Sequence, residues 1–199
     1  MTKKIVIAAV VGGIVYTIWG GLAWMVLGIH DWSTGRLVDE NAVVAVLNEN
    51  VNREGVYVFP AMPEETGSMS ESEMTAQAEQ WMEKYRKGPI GMIAYRPQGS
   101  DPMMTSMYIS GLIISILAAF IVAWLLSRST AVSQSFFARV SFCGMIGIFA
   151  SVVTHVAFWN WMLMPFDYTV AMVLDLVLGW TLTGAVIAAF VKPGAPKAE

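Results

Sequence analysis

The sequence predicts an all-α membrane protein with four transmembrane helices, cytoplasmic termini, and a small extracytoplasmic α+β insert between helices 1 and 2. Of its 199 residues, 56% are hydrophobic and only 14% are charged, whereas soluble domains carry about 25% charged residues. The mean hydropathy is +0.57. Met107–Leu126 contains no charge, while Asp31–Asp101 holds most of the acidic residues. This distribution predicts apolar spans interrupted by one polar segment.

Four apolar stretches are long enough to cross the hydrocarbon core, which takes about 20 helical residues. They are Ile5–Ile29, Met107–Leu126, about Val140–Phe158, and Tyr168–Val191. The first follows two lysines, but the apolar part of a cleaved signal is only about 7–15 residues long, so we expect an uncleaved signal anchor. The predicted organisation is a first helix in residues 1–30, an insert in 31–106, and three helices with a cytoplasmic tail in 107–199.

The positions of lysine and arginine predict the orientation, because short cytoplasmic flanks carry an excess of these residues. Three flanks on one side contain Lys3, Lys4, Arg128, Arg139, Lys192 and Lys197. The short loop Asn160–Asp167 on the other side contains neither residue type. We therefore expect both termini in the cytoplasm and residues 31–106 outside, in the periplasm of a bacterial inner membrane.

The insert is predicted to fold as helix, strand, helix and strand. A helical stripe covers Leu37–Val51, and Gly55–Phe59 is a β-rich run closed by proline. After a polar loop at Pro63–Ser70, a capping-box pattern predicts a helix over Glu71–Arg86, and Gly88–Tyr95 is a second candidate strand. Such a small unit is marginal alone, so we expect it to rest on the membrane surface or on a partner.

Each span carries small residues four apart, a spacing that lets helix backbones approach closely in lipid. The positions are Gly13, Thr17 and Gly21; Gly111, Ser115, Ala119 and Ala123; Cys143, Gly147 and Ser151; and Ala171, Gly179 and Thr183. These rows of small residues serve packing within the chain or packing against other subunits. Four helices cannot bury every row among themselves without crowding, so both interpretations stay open.

Two ionisable residues, His155 and Asp175, lie within the predicted spans. Each extends a small-residue ladder, and their depths agree within about one helical turn. We therefore predict that they contact each other directly or through one water. A structural pair that fixes helix register is favoured. A proton or ion path is the alternative, since intramembrane ionisable residues often mark one.

Metal and haem sites are the least favoured interpretations. His30 and His155 are the candidate ligands, either of haem iron or of a metal shared with carboxylates. No His-x-x-x-His spacing or cysteine cluster supports such a site, and we predict no cofactor. Eight of the 14 methionines fall between Met62 and Met107. Thioethers suit Cu(I), but without a repeated Met-x-x-Met pattern, gap filling is favoured.

The sequence predicts a non-catalytic accessory or structural subunit of a larger membrane protein complex. It has no Gly-x-Ser-x-Gly, no Cys–His pair in a plausible site and no phosphate-cradling loop. A net charge of −3 argues against nucleic-acid binding. The expected partners are the lipid bilayer and other integral membrane subunits. The alternatives are a small proton- or ion-coupled transporter using His155 and Asp175, and a membrane redox protein with histidine-ligated haem.

Overall fold

A computed structural model describes residues 2–64, 69–130, 132 and 135–193. Its elements in chain order are α1 (Thr2–Met25), α2 (Glu40–Asn50), β1 (Gly55–Phe59), α3 (Glu71–Lys87), β2 (Gly91–Tyr95), α4 (Thr105–Arg128), α5 (Phe136–Ser151), a π-helical turn (Val152–Val156), α6 (Ala157–Met162) and α7 (Phe166–Phe190). Four helices, α1, α4, the continuous α5–α6 and α7, are long and apolar enough to cross a membrane. The prediction of four helices able to span a membrane and of a small two-stranded sheet is confirmed.

The chain forms two compact units. The helical unit comprises Met1–Gly35 and Met103–Glu199, and the insert unit comprises Arg36–Pro102. Of the predicted loop Pro63–Ser70, residues 65–68 lie outside the described part of the chain, as does the tail beyond residue 193.

The first helix ends earlier than its apolar run predicts. The run continues to Ile29, whereas α1 ends at Met25. Gly28 adopts a left-handed φ of +60°, a conformation that glycine reaches without a steric penalty and that commonly terminates helices. Hydropathy alone could not locate this end, because the residues on either side of the turn are equally apolar.

Close helix crossings hold the helical unit together. Helix α1 packs on both α4 and α7, and α7 packs on α5. A Cβ at Gly13 would come within 2.6 Å of the Ile116 Cα, and one at Gly184 within 2.5 Å of the Cys143 Cβ. Such distances are possible only because these positions lack a side chain, as expected for helices that associate through small residues in lipid.

Arg139 is buried at the start of α5, with a residual exposure of 4%. Its Nε donates a hydrogen bond to the carbonyl of Ala188 at 3.1 Å. That carbonyl lies in the last turn of α7, where helical carbonyls lack an intrahelical donor and where a cation is electrostatically favoured. The arginine that served as an orientation signal in the sequence therefore also joins α5 to the end of α7.

The insert unit has the element order that the sequence predicts, with shifted boundaries. Strands β1 and β2 pair antiparallel, from Gly55 opposite Tyr95 to Phe59 opposite Gly91. Helix α2 begins after the N-cap Asp39, whose side chain accepts from the Ala42 amide. The expected start at Leu37 was therefore too early.

The capping box at the start of α3 is confirmed. The Ser70 Oγ accepts from the Glu73 amide, and the Glu73 carboxylate accepts from the Ser70 amide. These hydrogen bonds from the backbone and the hydroxyl of Ser70 lower the pKa of Glu73 below its ordinary value. The helix ends at Gly88, which has a φ of +68°, so β2 starts at Gly91 rather than at Gly88.

Candidate functional site: an intramembrane polar cluster

Asp175 is the centre of a polar cluster in the helical unit. One carboxylate oxygen accepts a hydrogen bond from the indole Nε1 of Trp19 at 2.6 Å. The other lies 3.0 Å from the Nε2 of His30. An ionised carboxylate can only accept hydrogen bonds, so in that state of Asp175 the donor of this second bond is Nε2. The Asp175 side chain is 17% exposed, and each of its oxygens has a partner inside the chain.

His30 reaches Asp175 because the chain folds back after α1. Its ring is 2% exposed and stacks on the indole of Trp24, with centroids 3.7 Å apart and planes inclined by 13°. The His30 carbonyl accepts from the hydroxyls of Ser33 and Thr34, which fixes the turn. The remaining ring nitrogen, Nδ1, is buried and has no hydrogen-bond partner among the described residues. The ring is thus held on one edge and one face.

Gly179 makes room for the indole that binds Asp175. It lies four residues after Asp175, one turn along the same face of α7. A Cβ at this position would approach Trp19 Cδ1 to 2.7 Å and Tyr16 Cε2 to 2.9 Å. The ring of Tyr16 in turn packs on Trp180 at a centroid distance of 5.0 Å. The glycine therefore sets how closely α1 approaches α7 at the level of the cluster.

The structure gives Asp175 a hydrogen-bonding partner other than the predicted His155. Over the described residues, no hydrogen bond or ion pair joins His155 to Asp175, so the expected direct contact is replaced by the one with His30. A contact through one water stays a prediction. The sequence argument missed His30 because it placed that residue at the end of a continuous helix, beyond the reach of Asp175.

His155 itself lies on the π-helical turn that interrupts the third span. Its residue is partly exposed, and its ring makes no hydrogen bond to any described residue. A π-helical turn widens the backbone spiral and often occurs where a helix serves a function. His30 and His155 therefore differ: the first is enclosed within the unit, and the second lies at its surface.

The predicted packing positions divide into those at helix contacts and those outside them. Buried positions are Gly13, Ser115, Ala119, Ala123, Gly147, Ser151 and Gly179, together with Cys143, Ala171 and Thr183. Built Cβ atoms show a different picture at two glycines. One at Gly111 would meet no atom within 4 Å, and one at Gly21 would meet only Met25 of its own helix. Thr17 is exposed, and its hydroxyl donates to the carbonyl of Gly13.

The geometry gives little support to ligation of a metal by the two histidines. The Nε2 of His30 is bound to Asp175 and one ring face is covered by Trp24, which leaves only the enclosed Nδ1 as a donor atom. In the described part of the chain, no three His, Cys, Asp or Glu side chains are grouped as metal ligands. What the cluster can do is share a proton between His30 and Asp175, or hold α1, α7 and the connecting turn in a fixed arrangement.

Two contributors to this cluster, Trp19 and the turn at Gly28, were missed by the sequence analysis. A signal for the turn was present, because a glycine after an apolar helical run is a common helix stop. No comparable signal marks Trp19, since an apolar span contains many aromatic residues and only the structure identifies the one that faces Asp175. Comparisons with protein-family models, with curated proteins and with solved structures give no match to this chain.

Proposed function

We propose that this chain is a non-catalytic accessory or structural subunit of a larger membrane assembly. The observation that carries the proposal is the environment of His155. This residue lies in a membrane-spanning segment, is partly exposed, and has no hydrogen-bond partner within the described chain. Hydrocarbon offers no hydrogen bonds, and an unsatisfied polar group there costs several kcal/mol. Ionisable residues in spans accordingly face protein or water-filled cavities.

The occupant that satisfies these requirements is a transmembrane helix of another integral membrane subunit. It would present a hydrogen-bond acceptor to His155 and cover the neighbouring apolar side chains of the π-helical turn. Val152 precedes the histidine by three residues, a spacing that places both on one side of the helix, and it is 51% exposed. A helix packed here would bury this valine and satisfy the imidazole in one contact.

Site-specific photocrosslinking in native membranes tests this proposal. A photoreactive residue at Val152 is expected to crosslink to another membrane protein, and His155→Leu in the same chain should abolish that product. Leu117 on α4 is equally exposed in a span and serves as the matched control position. Crosslinking that is equal at both positions, or that persists with His155→Leu, would overturn the assignment of this surface.

We also infer that both termini are cytoplasmic and that residues 31–106 lie outside. The support is the asymmetry of lysine and arginine between the short loops. A reporter that is active only in the cytoplasm, fused to the C-terminus, should be active. The same reporter inserted at Gly99, in the insert, should be inactive. The reverse pattern would contradict this orientation.

A second candidate function is a proton- or ion-coupled transporter. It is supported by the pairing of two titratable groups, since the Nε2 of His30 lies 3.0 Å from a carboxylate oxygen of Asp175. In proteoliposomes with a pH-sensitive dye, such a protein would move protons, and Asp175→Asn would abolish the flux without unfolding the chain, because an amide cannot titrate. Absence of flux in the unmodified protein would remove this candidate and leave the subunit proposal untouched.

A further inference from the structure

A cavity in the insert unit brings together methionines that are dispersed in the sequence. It has a volume of about 210 Å³ and is lined by Met62, Pro63, Glu64, Met69, Met74, Gln77, Ala78 and Trp81. One wall is a single face of α3, on which Met74, Ala78 and Trp81 follow each other at helical spacing. The opposite wall comes from the residues that precede α3. Three thioether side chains from three separate positions therefore meet one cavity.

The aromatic wall of this cavity is held in place. The Nε1 of Trp81 donates a hydrogen bond to the carbonyl of Pro60 at 3.2 Å, and the indole also packs against Tyr85 with centroids 5.3 Å apart. These contacts fix the indole and tie the segment before Met62 to α3. The cavity thus has one rigid wall and three flexible side chains.

Two of the three methionines are not filling a gap in a core. Met62 is 70% exposed and Met74 is 41% exposed. A methionine whose role is to fill irregular core space is buried, so packing does not account for thioethers that border a cavity and face solvent. The sequence alone favoured gap filling because the spacing of these residues shows no repeat. It could not show that the fold gathers them.

We propose that this cavity is a binding site for a soft monovalent metal ion, Cu(I), with Met62, Met69 and Met74 as thioether ligands. Thioether sulfur selects Cu(I) over Zn(II), Mg(II) and Ca(II). The three rotatable bonds of each methionine allow the sulfurs to converge on one ion. The indole of Trp81 offers a π face to a cation, and the Glu64 carboxylate supplies one negative charge, which neutralises a monovalent ion.

This donor set has a property that separates it from cysteine or histidine sites. Thiols and imidazolium groups must lose a proton before they ligate, which makes their metal affinity depend on pH. A thioether carries no proton, so binding here neither releases nor requires one. The affinity for Cu(I) is therefore expected to be constant from pH 6 to pH 8.

The test uses the full-length protein in detergent micelles. Cu(I) is titrated under reducing conditions against a chromophoric Cu(I) chelator, with Zn(II) and Cu(II) titrated separately. We expect one Cu(I) per chain, no comparable binding of the divalent ions, and copper–sulfur scattering in the X-ray absorption spectrum of the complex. Native mass spectrometry provides the stoichiometry independently.

Methionine-to-leucine variants assign the ligands, because leucine keeps the apolar volume and such swaps are usually well tolerated. Loss of even an outer-sphere partner weakens metal sites by about 10–100-fold, so Met62→Leu, Met69→Leu and Met74→Leu should each weaken Cu(I) binding at least about tenfold. Met92→Leu is the matched control, since Met92 is an exposed methionine of the same unit on β2. Circular dichroism verifies that each variant is folded.

Three results would overturn the proposal. The first is unchanged affinity in all three ligand variants. The second is an equal loss in the Met92→Leu control, which would indicate unspecific binding by surface methionines. The third is binding of Zn(II) as tight as that of Cu(I). None of these outcomes bears on the subunit proposal, which rests on the other unit of the chain.

Discussion

Replacing Gly179 with alanine should disrupt the Asp175 cluster from a position that makes no hydrogen bond to it. The added Cβ would lie 2.7 Å from Trp19 Cδ1, and ordinary van der Waals contact begins at 3.4 Å, so the indole must retreat by about 0.7 Å. The same displacement along the 2.6 Å bond from Trp19 to Asp175 lengthens it to about 3.3 Å, beyond the usual range of such bonds.

The magnitude follows from two destabilising effects and one stabilising effect. Overpacking a tight contact costs about 1–3 kcal/mol, and weakening a hydrogen bond to a charged group costs up to about 1.5–3 kcal/mol more. Alanine has a helix propensity higher than glycine by about 1 kcal/mol, which offsets part of this cost. The net expectation is a loss of about 2–4 kcal/mol in the free energy of unfolding.

Gly111→Ala, in another of the long apolar helices, is the matched control. A Cβ at Gly111 meets no atom within 4 Å, so only the propensity gain of about 0–1 kcal/mol applies. Both variants are to be unfolded in mixed micelles by increasing the denaturing detergent, and their free energies compared with that of the parent chain. Equal stability of the two variants would refute the reasoning. A double variant of Gly179→Ala with Trp19→Phe, in which the smaller ring relieves the clash, should recover part of the packing loss.

Three further perturbations test other contacts. Asp175→Asn should be tolerated, because the amide can still form hydrogen bonds with Trp19 and His30. Asp175→Leu leaves both of these side chains unpaired and should lower the free energy of unfolding by about 1–3 kcal/mol for each. The same unfolding assay measures both variants. Arg139→Ala should cost about 1.5–3 kcal/mol by removing the charged donor to the Ala188 carbonyl, and faster amide exchange in the last turn of α7 would localise the loss. Because the pKa of Glu73 is lowered in the folded chain, its contribution to α3 is present above the unfolded pKa and is lost as the pH falls through the folded value. Protection of the amides in the first turn of α3, relative to their intrinsic exchange rates at each pH, should therefore fall on acidification in the parent and show no such step in Glu73→Gln.

The spans and the insert elements were predictable because their signals are local. Twenty uncharged residues specify a membrane helix whatever surrounds them, and Ser70 with Glu73 specifies a helix start by their own hydrogen bonds. The partner of Asp175 was not predictable in this way. It depends on where α1 stops, on the turn at Gly28, and on which of several aromatic side chains faces α7. Each of these is decided by tertiary packing.

The two histidines differ in whether their hydrogen bonds are made within the chain, and this difference is the reason for proposing a partner subunit at only one of them. His30 and Trp19 each contact one oxygen of the Asp175 carboxylate, which offsets the cost of burying it. The imidazole of His30 is in turn covered on one face by Trp24. Both carboxylate oxygens of Asp175 have partners within the chain, as buried polar atoms usually do, whereas the Nδ1 of His30 has none among the described residues. His155 makes no hydrogen bond to any described residue. The contact between His30 and Asp175 is therefore made within the chain, whereas the partner that we propose for His155 belongs to another subunit.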